Sequence, residues 1–277
     1  MTEPAVRIDR HDGIGEIVLA RPDRRNALDY AAVLELVAAL AEVESDDAVG
    51  AVLVHGEGKS FCAGGDLAEF QRGLSTSAYD FHRSGTGWFD LMTAIPRMRT
   101  PVVVAPHGHA LAGGCGIVAA ADVAIAAEGT VFGTSEISIG LFPIIVYPAL
   151  AKAIGSRAAR EMALTGRRVP ADEAGRLGLV HRIVPAADHL DVARAVAAEL
   201  ASFGAHALAL GKWFMNAVDG LPLEQGTALA QSVRGSFMTT PDFAEGLAAF
   251  AEKRPPRFRG GGRRAEPEAI DENSGQP

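Results

Sequence analysis

PVVVAPHGHALAGGCGIVAAADVAIA, residues 101–126, is the stretch on which the fold class turns. The apolar run Pro101–Ala105 reads as a short buried strand. It hands over to the glycine-bearing turn His107–Gly116, which opens into a helical pattern. That helix must be brief, because Asp122–Ala126 already reads as the next strand. The same order occurs upstream, where the apolar run Val49–Val54 precedes FCAGGDL, Phe61–Leu67, and another helical pattern. Strand, helix, strand, helix implies a layered α/β fold.

Working outward, alternation in Val6–Arg10 and Glu16–Ala20 predicts two strands around a turn at Asp12, Gly13 and Gly15. Asp29 precedes Val33, Leu34, Leu36, Val37, Leu40 and Val43 at helical spacing, which makes it the expected N-cap. The stretch Arg72–Met98 is poorly patterned. From Gly155 onward the chain is alanine-rich and predicts helices over Ser156–Leu164, Ala171–Leu177, His189–Ala201, Ala205–Val218, Leu223–Met238 and Pro241–Glu252. Beyond Arg254 apolar residues are scarce, so disorder is expected from about Arg259. The expected division is a core over 1–203, a helical region over 204–258 and a disordered tail over 259–277.

A length of 277 residues fits one large domain with an appendage. With 48% hydrophobic residues, 22% charged residues and two cysteines, the chain is neither disordered, collagen-like nor a disulfide scaffold. Asp122 splits the run Ile117–Ala127, and Leu141–Ala151 is short and holds two prolines, so no membrane span is expected. MTEPAVRIDR lacks the marks of a secretory signal, which points to the cytoplasm. Cys62 and Cys115 are expected as free thiols. The eight histidines contain no HExxH pair, and His107 with His109 is a lone pair, so no metal is expected. The net charge is −8, while Lys253, Arg254, Arg257, Arg259, Arg263 and Arg264 form one basic run. The acidic body disfavours nucleic acid; the basic run is either a solvated tail or a contact for a small phosphorylated molecule.

In both glycine loops a strand gives way to a helix, where peptide N–H groups lack intrahelical partners and can face a ligand oxygen. Each loop is thus a candidate anion or oxyanion site, or else a turn that needs glycine for its φ. Gly114, Gly116 and Ala119 satisfy G-x-G-x-x-A with Glu136 twenty residues on, but the helix behind them is too short for a dinucleotide site. A Walker loop fails because Gly114 stands where lysine is required, and GTSEI around Ser135 lacks the closing glycine of a nucleophile elbow.

RPDRRNAL (Arg21–Leu28), FCAGGDL, HGHALAGGCG, FGTSEISIGLFP (Phe132–Pro143), LTGRRVPADEAGRLGLVHRIVP (Leu164–Pro185) and FAEKRPPRF (Phe250–Phe258) occur in that order. Together they resemble the enoyl-CoA hydratase/isomerase, or crotonase, family over about Val6–Phe258. The resemblance implies a spiral of ββα units and a helical C-terminal region that builds trimers or hexamers. It also implies a CoA thioester substrate, with no other cofactor. It places oxyanion-hole amides at Gly65 and Gly113, a catalytic carboxylate at Glu136, and contacts to CoA at Arg24, Arg25, Ala27, Ala63 and Lys253. Gly116, Phe142 and Ile144 would line the acyl pocket, and Asp66 would sit at a helix start.

Hydratases of this family use two glutamates, and the position of the first is Gly116, which has no side chain. Hydration needs one group to deprotonate water and another to protonate the α-carbon. A shift of a double bond from β,γ to α,β needs one carboxylate, so Glu136 suffices for it. The apolar run GLFPIIVYPAL, Gly140–Leu150, agrees with a desolvated base, although a core helix would look similar. Tyr147 and His82 are possible stand-ins for the missing group. Three readings stay open: an enoyl-CoA isomerase, a hydratase or other enolate-forming enzyme, and a CoA-ester-binding protein without catalysis.

Overall fold

The computed structural model describes residues 4–77, 79–80 and 86–258; His82 and the expected tail 259–277 lie outside them. Strands β1 (Val6–His11) and β2 (Ile14–Leu19) form an antiparallel hairpin. Its two-residue turn, Asp12–Gly13, has φ of 49° and 77°, the backbone that suits the twist of paired strands. β3 (Ala51–Gly56), β4 (Val102–Ala105), β6 (Val123–Ala127) and β9 (Arg182–Val184) extend it in parallel, in the order β1-β2-β3-β4-β6-β9. Every residue of β3 and β4 is buried, as a parallel sheet covered on both faces requires.

One face carries the larger core, with α1 (Tyr30–Ser45) supplying Val33, Leu36, Leu40 and Val43. Asp29 caps this helix, accepting from Ala32 N–H at 2.9 Å. The other face packs Ile14, Leu53, Val103 and Ile125 against Ala193, Val196 and Ala197 of α7 (His189–Ala201). At the edge of that layer the buried Glu16 is bonded to His55 at 2.7 Å, and to His11 and Arg194 at 2.6 Å each. Burial pushes its carboxyl up, but the bonds to His55, Arg194 and His11 outweigh it and hold the group well below the usual range.

A second, shorter layer is built from β5 (His109–Leu111), β7 (Val131–Gly133) and β8 (Val169–Pro170). The isolated bridges Leu28–Gly65 and Cys62–Ala110 pair other short segments of the chain. The chain thus runs through the long sheet, crosses to the short layer and returns by a helix, which gives the expected spiral of ββα turns. These returns include α2 (Leu67–Gly73) and α4 (Gly113–Ala120), so both glycine loops lie where a short segment meets a helix.

The structure departs from expectation in three places. The poorly patterned stretch holds α3 (Thr86–Arg97), which buries Leu91, Met92 and Ile95, and the C-terminal half contains β8 and β9 between its helices. The helix expected from Ser156 begins earlier, as α5 (Tyr147–Thr165), and breaks at Gly155 with φ 77° and ψ 152°. It is followed by α6 (Ala171–Leu177), and by α8 (Ala205–Val218), α9 (Leu223–Met238) and α10 (Pro241–Glu252), which pack on one another. The buried Lys212 of α8 ties this group to the core through Asp122 at 2.5 Å and the Thr100 carbonyl at 3.2 Å. No helix among the described residues is long and apolar enough to cross a membrane.

Candidate active site

The first glycine loop is zipped to the segment that follows a single turn of 3-10 helix at Pro22–Arg24. Ala63 N–H donates to the Arg25 carbonyl at 3.0 Å, Leu28 N–H to the Gly64 carbonyl at 2.8 Å, and Asp66 N–H to the Leu28 carbonyl at 3.0 Å. Arg25 and Asn26 both hold positive φ, 52° and 54°. The buried Asn26 fixes that path with three bonds: its Nδ2 donates to the carbonyls of Glu57 (2.9 Å) and Ser60 (2.8 Å), and its Oδ1 accepts from Arg21 N–H (2.9 Å). Asn26 was not singled out in the sequence, though asparagine tolerates a left-handed backbone better than most residues. Asp66 caps α2 by accepting from Ala68 N–H at 2.8 Å, and also takes Arg24 Nη1 at 3.0 Å. Its carboxylate is therefore committed to the helix start, as expected.

The second loop is docked against the first. Leu111 N–H donates to the Cys62 carbonyl at 2.9 Å, and a Cβ on Gly64 would lie 3.4 Å from the Gly113 nitrogen. Ala112, just before α4, holds φ 49° and ψ −121°, a strained backbone for a residue with a side chain. Among the described residues nothing accepts a hydrogen bond from Gly65 N–H or Gly113 N–H. Buried amides are almost always paired, so the free donor of buried Gly113, with that of half-buried Gly65 on the adjoining loop, suits an external oxygen.

Glu136 follows three residues after Gly133, whose carbonyl accepts from Ala112 N–H at 2.8 Å, and its charge acts on the Cys115 thiol in α4. It lies in a turn of 3-10 helix, Ser135–Ile139, where a loop was expected. Its Oε2 is buried without a hydrogen-bond partner. Burial raises its pKa above the ordinary glutamate value, opposed only by its own backbone N–H. A half-buried carboxylate with one oxygen unbonded and no ion-pair partner among the described residues has the properties of a proton carrier.

Gly116 is buried in α4, and side chains of α3 and of the residue before α5 pack over it. A Cβ there would lie 2.8 Å from Met92 Sδ and 3.2 Å from Val146 Cγ2, so these side chains occupy the adjoining space. Likewise a Cβ on Gly113 would overlap the Trp88 ring, and one on Gly65 would lie 2.7 Å from Phe70 Cζ. Phe142 and Ile144 are exposed, at 38% and 61%, and Phe142 packs on Tyr147 with ring centres 6.2 Å apart. Arg24 is bonded to Asp66, whereas Arg25 is exposed. Ala27 and Ala63 are half-buried, and Lys253 is exposed at the end of α10 with φ 55°. Trp88, Met92, Val146 and Phe70 were missed in the sequence; the four-residue spacing of Trp88 and Met92, with Leu91 and Ile95, was the signal available for the first two.

Burial pushes both thiols, Cys62 and Cys115, up to about 12, which makes them poor nucleophiles. No group of three His, Cys, Asp or Glu among the described residues could hold a metal ion.

The chain combines a spiral of ββα turns, two unbonded amides on adjoining loops, and a desolvated carboxylate three residues after the strand that is bonded to the second loop. The family model described as "Enoyl-CoA hydratase/isomerase" matches residues 9–261, and the chain belongs to that family. A probable enoyl-CoA hydratase of Mycobacterium bovis is 36% identical over 259 residues, covering 93% of this chain and 99% of the relative. The crystal structure of an enoyl-CoA hydratase of Mycobacterium smegmatis superposes with TM-score 0.87 at 35% identity, covering 92% of this chain and 99% of that one. That of human enoyl coenzyme A hydratase domain-containing protein 3 does so with TM-score 0.85 at 29% identity, covering 91% and 99%.

Proposed function

We propose that the protein shifts the double bond of an enoyl-CoA thioester from β,γ to α,β, with Glu136 as the only carboxylate in the proton path. Its carboxylate takes a proton from the α-carbon. The C–H electron pair becomes the α-carbon's bond to the carbonyl carbon, and the carbonyl pair moves onto the thioester oxygen, giving a dienolate. The Gly65 and Gly113 amides donate to that oxygen where its charge develops; one such donor is worth about 3–4 kcal/mol of barrier. Glu136 then returns the proton to the γ-carbon, and the electrons settle as an α,β double bond. Nothing is added or lost, so no cofactor is needed beyond the CoA of the substrate. Arg24, Arg25, Ala27, Ala63 and Lys253 are assigned to CoA, and Phe142 and Ile144 to the acyl chain. In this reading α8–α10 join copies of the chain as a trimer or hexamer; α9 buries none of its residues, which supports such a role.

The observation that carries the choice is Gly116 itself, which offers no carboxylate and has the Met92 thioether and Val146 packed over it. A hydratase is the second reading, favoured by the names of the relatives above. The test is Glu136→Gln. We expect folding and CoA binding to stay near normal while turnover of a β,γ-enoyl-CoA falls at least about a hundredfold, the scale of general-base catalysis. Because the working form is the carboxylate and burial raises its pKa, wild-type turnover rises with pH through a midpoint above the ordinary glutamate value. Full activity in the variant removes Glu136 from the mechanism.

A further inference from the structure

Trp88 and Met92 stand one turn apart on α3, and Gly113 and Gly116 about one turn apart on α4. The two helices meet with the side chains of the first pair seated where the second pair has none: the Trp88 ring over Gly113, the Met92 thioether over Gly116. Met92 is 8% exposed, and Val146 closes the same space from the start of α5. A side chain at 116 would meet the Met92 sulfur at its first carbon and require the end of Met92 to shift, so glycine at 116 lets Met92 settle directly over α4. The chemistry of the pair is apolar throughout. A thioether accepts hydrogen bonds only weakly, glycine offers no side chain, and valine offers none that is polar.

Resting on the double-bond-shift reading, we propose that Met92 is a specificity-determining residue that keeps water off the Gly116 side of the bound acyl chain. Two consequences follow for the dienolate. Water has no polar side chain there to hold it against the β-carbon, so addition is suppressed. The proton on Glu136 also exchanges slowly with solvent, so the proton taken from the α-carbon is the one delivered to the γ-carbon. Met92 is long and unbranched enough to fill this gap between α4 and α5.

The test compares the full-length wild type with Met92→Ala and Met92→Leu, using trans-3-hexenoyl-CoA in heavy water and reading deuterium at the γ-carbon of the product. We expect little solvent deuterium in the wild-type product, several-fold more with Met92→Ala, and a return toward the wild-type fraction with Met92→Leu, which restores apolar volume. A role in folding alone would change the amount of active protein but not this fraction. Should Met92→Ala fail to fold, Met92→Gln keeps the length and can hold water by hydrogen bonds, and the same rise is expected. Equal deuterium fractions in wild type, the opened or polar variant, and Met92→Leu overturn the proposal. If the wild type instead only hydrates trans-2-hexenoyl-CoA, the double-bond-shift reading falls separately. Faster hydration by Met92→Ala than by Met92→Leu then upholds the exclusion of water by Met92, and equal rates overturn it.

Discussion

The loops at Gly65 and Gly113 each offer one unbonded amide, but they are held by different forces. The Gly65 loop is tied by polar bonds: backbone links to residues 25–28, the Asp66 cap on α2 and the Arg24–Asp66 pair. Gly65 itself is half-buried, and the ring nearest it is Phe70, whose end can turn away. The Gly113 loop is buried from Ala110 to Gly116, contains the strained Ala112, and is fixed by side chains of α3 fitted against glycines of α4. One donor is thus placed by hydrogen bonds at a half-buried position and the other by close packing in the core. Hydrogen bonds of that kind contribute about 1 kcal/mol each and yield singly, whereas a packed core resists even one added methyl group.

The comparison breaks most sharply with an alanine at each glycine. Gly113→Ala must displace the Trp88 ring, and we expect a loss of about 1–3 kcal/mol in stability together with a large loss of turnover. Gly65→Ala meets only the end of the Phe70 ring, and its effect on denaturant midpoint should stay within about 1 kcal/mol. Similar losses at both sites would show that the two loops are held alike. A smaller effect is expected from Asp66→Ala, which removes the cap of α2 and the partner of Arg24. Its cost should be about 1 kcal/mol, with turnover falling less than in Gly113→Ala. A larger loss of turnover in Asp66→Ala would assign the carboxylate a part in the chemistry.

The same contrast explains what the sequence made legible. Helices such as His189–Ala201 and Leu223–Met238 were readable to the residue, because their spacing and ends are local properties. Asp29 was readable as a cap for the same reason. The short strands β8 and β9 were not, since two or three residues carry no periodicity and their pairing is with distant segments. At the site, the two glycine loops stood out as turns between a strand and a helix, and the resemblance to the family singled out Gly65, Gly113 and Glu136. Gly116 was visible as a departure from the family pattern. What fills its space was hidden, because Met92 lies 24 residues away and acts across a helix interface.

The single-carboxylate mechanism is tested most directly by the products that the unmodified protein forms from a matched β,γ- and α,β-enoyl-CoA pair. With Glu136 unpaired and the space at Gly116 filled by Met92 and Val146, we expect the β,γ substrate to become the α,β isomer faster than the α,β substrate becomes the 3-hydroxyacyl thioester. Hydration well above the rate of the double-bond shift would contradict that mechanism and require another group to take the place of the second carboxylate.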